Sequence, residues 1–264
     1  MSALQLYLDG IGLCGPGMAG WEASRGALAG SAELVLAPTV LPAAEALPPA
    51  ERRRVGVPIK LAMAIGFEAV RQAGADAANL PAVFSSTDGD CDNCHAILEV
   101  LASDDRQISP TRFHNSVHNA PSGYWGIATG CRAPSTSLCA LDATFGAGLL
   151  EAATQALANR QPCLLLAYDT PFPEPLASLR PIPYPFGIAL LLRSERSAAT
   201  FASLSIELGD EVTNTCADAT LENLRQNIPA ARALPLLQML ARGETGRVVI
   251  DYLQGLNLAI EVGA

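Results

Sequence analysis

Cys91-Asp92-Asn93-Cys94-His95 is the densest grouping of reactive side chain types in the sequence, and its spacing is that of a haem-attachment motif. Such attachment belongs to exported proteins, and the opening MSALQLYLDGIGLCG has neither a basic start nor a cleavage site, so it reads as a first strand. A zinc site would need a second ligand pair, which only His114 and His118 could supply. The expectation is therefore no haem, no metal and no other cofactor.

A second grouping lies in the run from Ala133 to Ala152, APSTSLCALDATFGAGLLEA. Its first part reads as a strand and its second as a helix of Ala, Gly and Leu, small enough to lie deep in a core. A helix N-terminus carries about half a positive charge and free backbone donors. A thiol placed there would ionise readily, and a developing oxyanion would be met by donors. The residue at that point is Asp142. A carboxylate attacking a thioester would give a hydrolysable anhydride, so Asp142 is a poor nucleophile. It suits an N-cap, worth about 1 kcal/mol. Cys139 is three residues earlier, an odd offset that turns a strand side chain to the other face, and burial as a core thiol is expected for it.

Strand and helix patterns alternate for most of the chain, which predicts an α/β class with a largely parallel sheet. Strands are expected at Leu4–Leu8, Ala82–Ser86, Ser135–Leu141, Cys163–Tyr168 and Tyr184–Leu192, with helices at Val57–Ala73, Cys91–Ala102 and 142–159. Ser109–Gly130 reads as a long loop with helical turns. Beyond Arg193 come strands at Phe201–Leu208, 247–251 and 256–262 and helical stretches near 218–225 and 230–241, with a seam at Glu195–Thr200. No linker-like composition separates the two parts.

Half of the 264 residues are hydrophobic and 16% are charged, enough for a substantial core. No apolar run reaches the roughly 18–20 residues of a membrane helix. A net charge of −9 argues against nucleic-acid binding and against unaided docking of an acidic carrier. The local exception is Arg52, Arg53 and Arg54, either a solvated helix start or a carrier-docking patch. The seven cysteines are expected to be reduced in a cytoplasmic protein, with Cys14, Cys131, Cys163 and Cys216 as core thiols.

The Ala133–Ala152 run resembles the nucleophile region of the β-ketoacyl synthases, members of the thiolase-like fold. In that family a Gly-Pro-Ser strand leads to a reactive cysteine at the start of a buried helix, and counted from Pro134 that position falls on Asp142. The stretch from Ser109 to Gly123, ending in Asn119-Ala-Pro-Ser-Gly123, resembles the family's Asn-x-x-x-Gly segment. Val83–Asp90 resembles its glycine-marked entry to the interface helix. Asn227–Leu237 and Gly246–Leu253 resemble the short chain-length factors that accompany complete synthases in aryl-polyene and related polyketide clusters.

The resemblance implies a thiolase-like fold. Its N-terminal half, 1–193, would be complete with a mostly parallel five-stranded sheet, and a truncated C-terminal half, 194–264, would pack on the same core. The family's condensation needs a thiolate and two later histidines. Here Asp142 replaces the thiol and no histidine follows His118. A non-catalytic subunit is implied, paired with a complete β-ketoacyl synthase or with itself, and meeting acyl carrier protein only indirectly. The family's pairing edge would be Pro134–Leu141, including Ser135 and Ser137. Candidates for lining the acyl channel or interface are His95, Ile97 and Leu98 on a helix, and Phe113, His114, His118 and Asn119 on the loop. Ile97 and Leu98 could equally be core residues. The rivals are an acyltransferase or hydrolase using Cys139, and a homodimeric acyl-binding protein.

Overall fold

The apolar alternation that starts at Leu4 carries further than its first five residues. In the computed structural model, which describes residues 3–264, β1 spans Leu4–Gly15. The chain continues through β2 (Met18–Ala19), α1 (Trp21–Ala29), α2 (Pro49–Arg52), α3 (Val57–Gln72), β3 (Ala82–Ser85) and α4 (Cys91–Ala102). Then come α5 (Pro110–His114), α6 (Ala120–Thr129), β4 (Ser135–Leu138), α7 (Thr144–Asn159), β5 (Cys163–Asp169), α8 (Leu176–Leu179) and β6 (Phe186–Arg193). The remainder is β7 (Ala202–Gly209), α9 (Ala219–Asn227), α10 (Leu234–Arg242), β8 (Gly246–Leu253) and β9 (Leu256–Gly263).

Among the described residues the strands form one nine-stranded sheet in the order β4-β3-β5-β6-β1-β7-β9-β8, with β2 paired to β1. The α/β class stands, and in the N-terminal part β4, β3, β5 and β1 run the same way with β6 reversed, but the sheet as a whole is mixed, not largely parallel. Only β3–β4 and β3–β5 are parallel, and every other pair is antiparallel. The reason lies in β5 and β6, which are covered on both faces and therefore read as continuous apolar runs. Such runs look the same in sequence whichever way the strands point.

Strand β1 serves two wings of the sheet. Residues Tyr7–Cys14 pair with β6, whereas Leu4–Leu8 pair with β7 on the other side. A bulge lies at Asp9, whose buried carboxylate is bonded by Arg193 and, at 2.7 Å each, by the Ser197 and Thr200 hydroxyls. The expected seam is thus tied to the first strand. Helix α3 packs flat on β1 because Gly12 has no side chain, and a Cβ there would fall 1.8 Å from the Ile65 carbonyl oxygen.

Helix α7 lies between the wings, as its small residues imply. A Cβ on Gly148 would meet the Ser85 Cβ of β3 at 2.7 Å, and one on Gly146 would meet Tyr252 of β8 at 2.9 Å. Phe145, Leu149, Ala152, Ala153 and Ala156 are fully buried and join the larger core cluster. The second cluster lies on the opposite face of the sheet, where α3 and Trp125 cover β3, β5 and β6.

Candidate functional site at the open sheet edge

The sheet ends at β4, which pairs in parallel with β3 from Ala82–Ser135 to Ser85–Leu138 and has no neighbour on its other side. The Ala82 amide donates to the Pro134 carbonyl and the Ser86 amide to the Leu138 carbonyl. In a parallel ladder alternate residues face opposite ways. Residues 134, 136 and 138 therefore serve β3, and Ser135 and Ser137 turn their backbone donors and acceptors outward. The sequence anticipated this edge, although the strand is shorter than Pro134–Leu141 because the chain turns into a 3-10 turn at Leu141–Ala143.

Helix α4 follows β3 and buries only Asn93. Its apolar side chains are not core: Leu98 is 63% exposed, Leu101 is exposed and Ile97 is half-buried. The core-packing alternative for Leu98 is thereby corrected. A polar bond ties α4 to α5, and others tie the end of α5 to its neighbours. Asn93 Nδ2 donates to the Arg112 carbonyl at 2.7 Å, and Asn115 Nδ2 donates to the Arg54 carbonyl at 2.7 Å. Tyr124 Oη donates to Asn115 Oδ1 at 3.0 Å. On the α5 side Phe113 is 67% exposed and Val117 is also exposed. Leu98, Leu101, Phe113 and Val117 therefore leave apolar side chains uncovered on α4 and around α5.

The three histidines have separate surroundings. His95 Nε2 lies 3.3 Å from Glu99, the exposed His114 stands edge-on to Tyr124, and His118 Nε2 is 3.1 Å from the Ser86 carbonyl. His114 and His118 do not share a helical face, because α5 ends at His114 and α6 starts at Ala120. Asn119 is exposed and precedes α6 without a side-chain cap.

At the head of α7 two expectations are corrected. Asp142 is not the N-cap: Ala143 holds that place, with no side-chain capping bond. Asp142 lies in the preceding 3-10 turn, where Leu141 takes the left-handed φ of 50°, rare for a residue with a branched side chain. Thr144 Oγ1 fixes the turn, accepting from the Ala140 amide at 3.1 Å and donating to the Leu141 carbonyl at 2.5 Å. The Asp142 side chain is 53% exposed, is hydrogen-bonded by Arg180, and has Arg232 at 3.8 Å. Cys139 is exposed, not buried, because the strand has already ended, and none of the three imidazoles bonds to it. Of the other expected core thiols, Cys14, Cys163 and Cys216 are buried, whereas Cys131 is half-buried.

The arginine run divides. Arg52 donates to the Glu45 and Leu47 carbonyls at 2.8 and 3.1 Å, which ties its guanidinium to the local backbone. Arg54 is paired with Glu51 at 3.1 Å. Arg53 and Arg54 line an open cleft of about 550 Å³ together with Arg112, Asp90 and Asp92.

Sequence reasoning missed a buried polar group where β3 and β5 end. Asp169 is fully buried, and burial pushes its carboxyl up to about 7 even though two backbone amides donate to it. Burial also raises Asp88, with the Cys91 thiol, the Gly89 amide and His118 only partly offsetting it. Ser86, Thr87 and Tyr168 place enclosed hydroxyls nearby with no hydrogen-bond partner. The signal was present as Thr87-Asp88-Gly89-Asp90, but those letters read equally well as an exposed turn. The α4 thiols are held protonated, Cys91 most of all, by burial and by the adjoining Asp88. Among the described residues no group of three or more His, Cys, Asp or Glu side chains is arranged to hold a metal ion, and no helix is long and apolar enough to cross a membrane.

Comparison with known proteins agrees with this architecture. No curated protein sequence matches the chain. A chain of the complex between the ketosynthase ApeO and its chain length factor ApeC from Xenorhabdus doucetiae superposes with a TM-score of 0.74 at 23% identity, covering 98% of this chain and 99% of that one. One from the ishigamide ketosynthase/chain length factor gives 0.73 at 13% identity, covering 98% and 99%. One from AntDE:AntF, a type II polyketide acyl-carrier protein in complex with its ketosynthase bound to the hexaketide, gives 0.73 at 12% identity, covering both chains fully at 100%. The ketosynthase from module 1 of the Bacillus amyloliquefaciens bacillaene synthase gives 0.57, with only 47% of that chain covered. These likenesses show the fold, a mixed α/β sheet of the ketosynthase type. The family described as beta-ketoacyl synthase, N-terminal domain, matches residues 21–250, and the chain belongs to that family.

Proposed function

We propose that this chain is a non-catalytic ketosynthase-like subunit, a chain length factor. It pairs with a complete β-ketoacyl synthase in polyketide or fatty acid biosynthesis of the aryl-polyene type. One observation carries the reading. Asp142, which the resemblance to the family sets at the position from which a synthase would present its thiolate, is half exposed and paired with Arg180 and Arg232. A carboxylate so paired neither attacks a thioester nor leaves from one.

Two further features support it. The open β4 edge and the uncovered apolar side chains of α4 and α5 are what a partner subunit would cover. The chain is also coextensive with chains of ketosynthase/chain length factor complexes, but spans about half of the modular bacillaene ketosynthase. In this reading β4 pairs across the dimer. Ile97, Leu98 and Phe113, flanked by His95, His114, His118 and Asn119, border the partner's acyl channel. The complete subunit docks the carrier protein, with Arg53 and Arg54 as an accessory contact. Residues 194–264 are the shortened second half.

The test is co-expression with a complete ketosynthase from the same organism, followed by size-exclusion chromatography. Co-elution at heterodimer size is expected. A chain that elutes alone or as a homodimer with bound lipid refutes the partner-subunit reading. Labelling by an acyl thioester that is lost in Cys139→Ala and kept in Asp142→Ala would instead establish a thiol acyltransferase.

A further inference from the structure

Arg180 and Arg232 come from separate parts of the chain, the residue just after α8 and the 3-10 turn Pro229–Ala233. Both reach the same carboxylate. Arg180 Nη2 is hydrogen-bonded to Asp142 Oδ1, and Arg232 Nη2 lies 3.8 Å from Oδ2. Among the described residues neither guanidinium has another carboxylate within ion-pair distance. Arg180 also acts weakly on the buried Asp169, whose oxygens are already engaged by two amides.

This convergence exceeds what the turn needs, since Asp142 caps nothing and Thr144 already fixes the backbone. Guanidinium groups present planar N–H pairs that match a carboxylate, and charge-assisted bonds of this kind are about twice as strong as neutral ones. With the Asp142 side chain gone, two cations would face one solvent-reached space with nothing to pair them.

We infer that Arg180 and Arg232 form a carboxylate-binding site that the chain occupies with its own Asp142. The ligand class so excluded is a small free carboxylate, including that of a malonate-type acyl group. This deepens the proposed function, on which it rests for placing the site at the nucleophile-equivalent position. A subunit with this internal anion does not compete with its partner for acidic acyl units.

The experiment uses Asp142→Ala and malonate as the probe, measured by isothermal titration at fixed ionic strength. Asp142 is half exposed and its own φ is not left-handed, so the variant disturbs no core. Saturable malonate binding is expected, about tenfold or more tighter than to the natural chain, as one restored charge-assisted contact implies. It should vanish in Asp142→Ala/Arg180→Gln and be absent with chloride. Equal binding by the natural chain, or none by folded Asp142→Ala, overturns the inference. Asp142→Ser carries the same expectations and replaces the alanine variant if that is insoluble. Pairing with a ketosynthase is scored on the same proteins. A variant that pairs but takes no malonate defeats this inference alone, whereas a natural chain that never pairs defeats the partner-subunit reading.

Discussion

Asp169 at the end of β5 accepts the backbone amide of Thr87 at 2.8 Å, and its other oxygen accepts that of Ala230 at 2.7 Å. One buried carboxyl thus ties the loop leading into α4 to the tail segment behind α7. Burial raises it to about 7, against an ordinary carboxylate near about 4. Between those values the folded chain holds a proton that the unfolded chain has released. The associated stability is therefore full below about pH 4 and is lost as pH rises through 7. Asp88 and Asp90 are raised by burial and act in the same direction. In urea titrations from pH 5 to pH 8, Asp169→Asn should remove up to about 1.4 kcal/mol per pH unit of decline below pH 7. At pH 5 it should cost about 1–3 kcal/mol, because an amide nitrogen cannot accept from the second backbone donor. An unchanged slope would mean that Asp169 does not titrate in this range.

The two glycines of α7 are predicted to differ. Gly148→Ala places a methyl 2.7 Å from the Ser85 Cβ, which is fixed to β3 between β4 and β5, so helix and sheet must separate. A loss of about 1–3 kcal/mol in chemical denaturation is expected. Gly146→Ala meets the Tyr252 ring edge at 2.9 Å, and a half-buried ring at the β8 end can turn aside. It should cost less than Gly148→Ala, and the reverse order would contradict the packing described for α7.

These glycines also show how far the letters reached. A helix of Ala, Gly and Leu after a strand can only be useful where two surfaces come close, and that reading placed α7 correctly. The edge position of β4 followed from the resemblance to the family, since four residues of ordinary polarity carry no mark of having one neighbour. What failed was local. Asp142 satisfied every preference of an N-cap, yet its partners, Arg180 and Arg232, are distant in sequence and no spacing rule links them. Cys139 looked like a core thiol because the strand ended earlier than its apolar neighbours suggested. The direction of β5 and β6 was illegible for a different reason: burial on both faces erases the alternation that would distinguish their surroundings.

Ser137→Pro probes the edge selectively. The Ser137 amide faces away from β3, so proline there removes no intramolecular ladder bond but deletes an outward donor from the centre of the strand. The monomer should keep its denaturation midpoint within about 0.5 kcal/mol, as for surface substitutions generally. Co-elution with a ketosynthase should be lost. The companion Thr136→Pro faces inward and should instead destabilise the chain itself. Normal co-elution of Ser137→Pro would remove β4 from the interface.

If the proposed function holds, substitutions at Leu98 and Phe113 should separate pairing from channel shaping. Both are about two-thirds exposed in the single chain, so their monomer role is small. Leu98→Glu should leave folding intact and weaken the complex, because a charge desolvated in an interface without a partner costs several kcal/mol. Phe113→Ala removes a large ring at the end of α5 without adding charge, and any cavity it opens lies outside this chain's own core. Its expected signature is a complex that still forms but whose products, read by mass spectrometry, are extended by at least one unit. If Phe113→Ala neither weakens the complex nor shifts the products, then Phe113 lies outside both surfaces and the channel border is confined to α4.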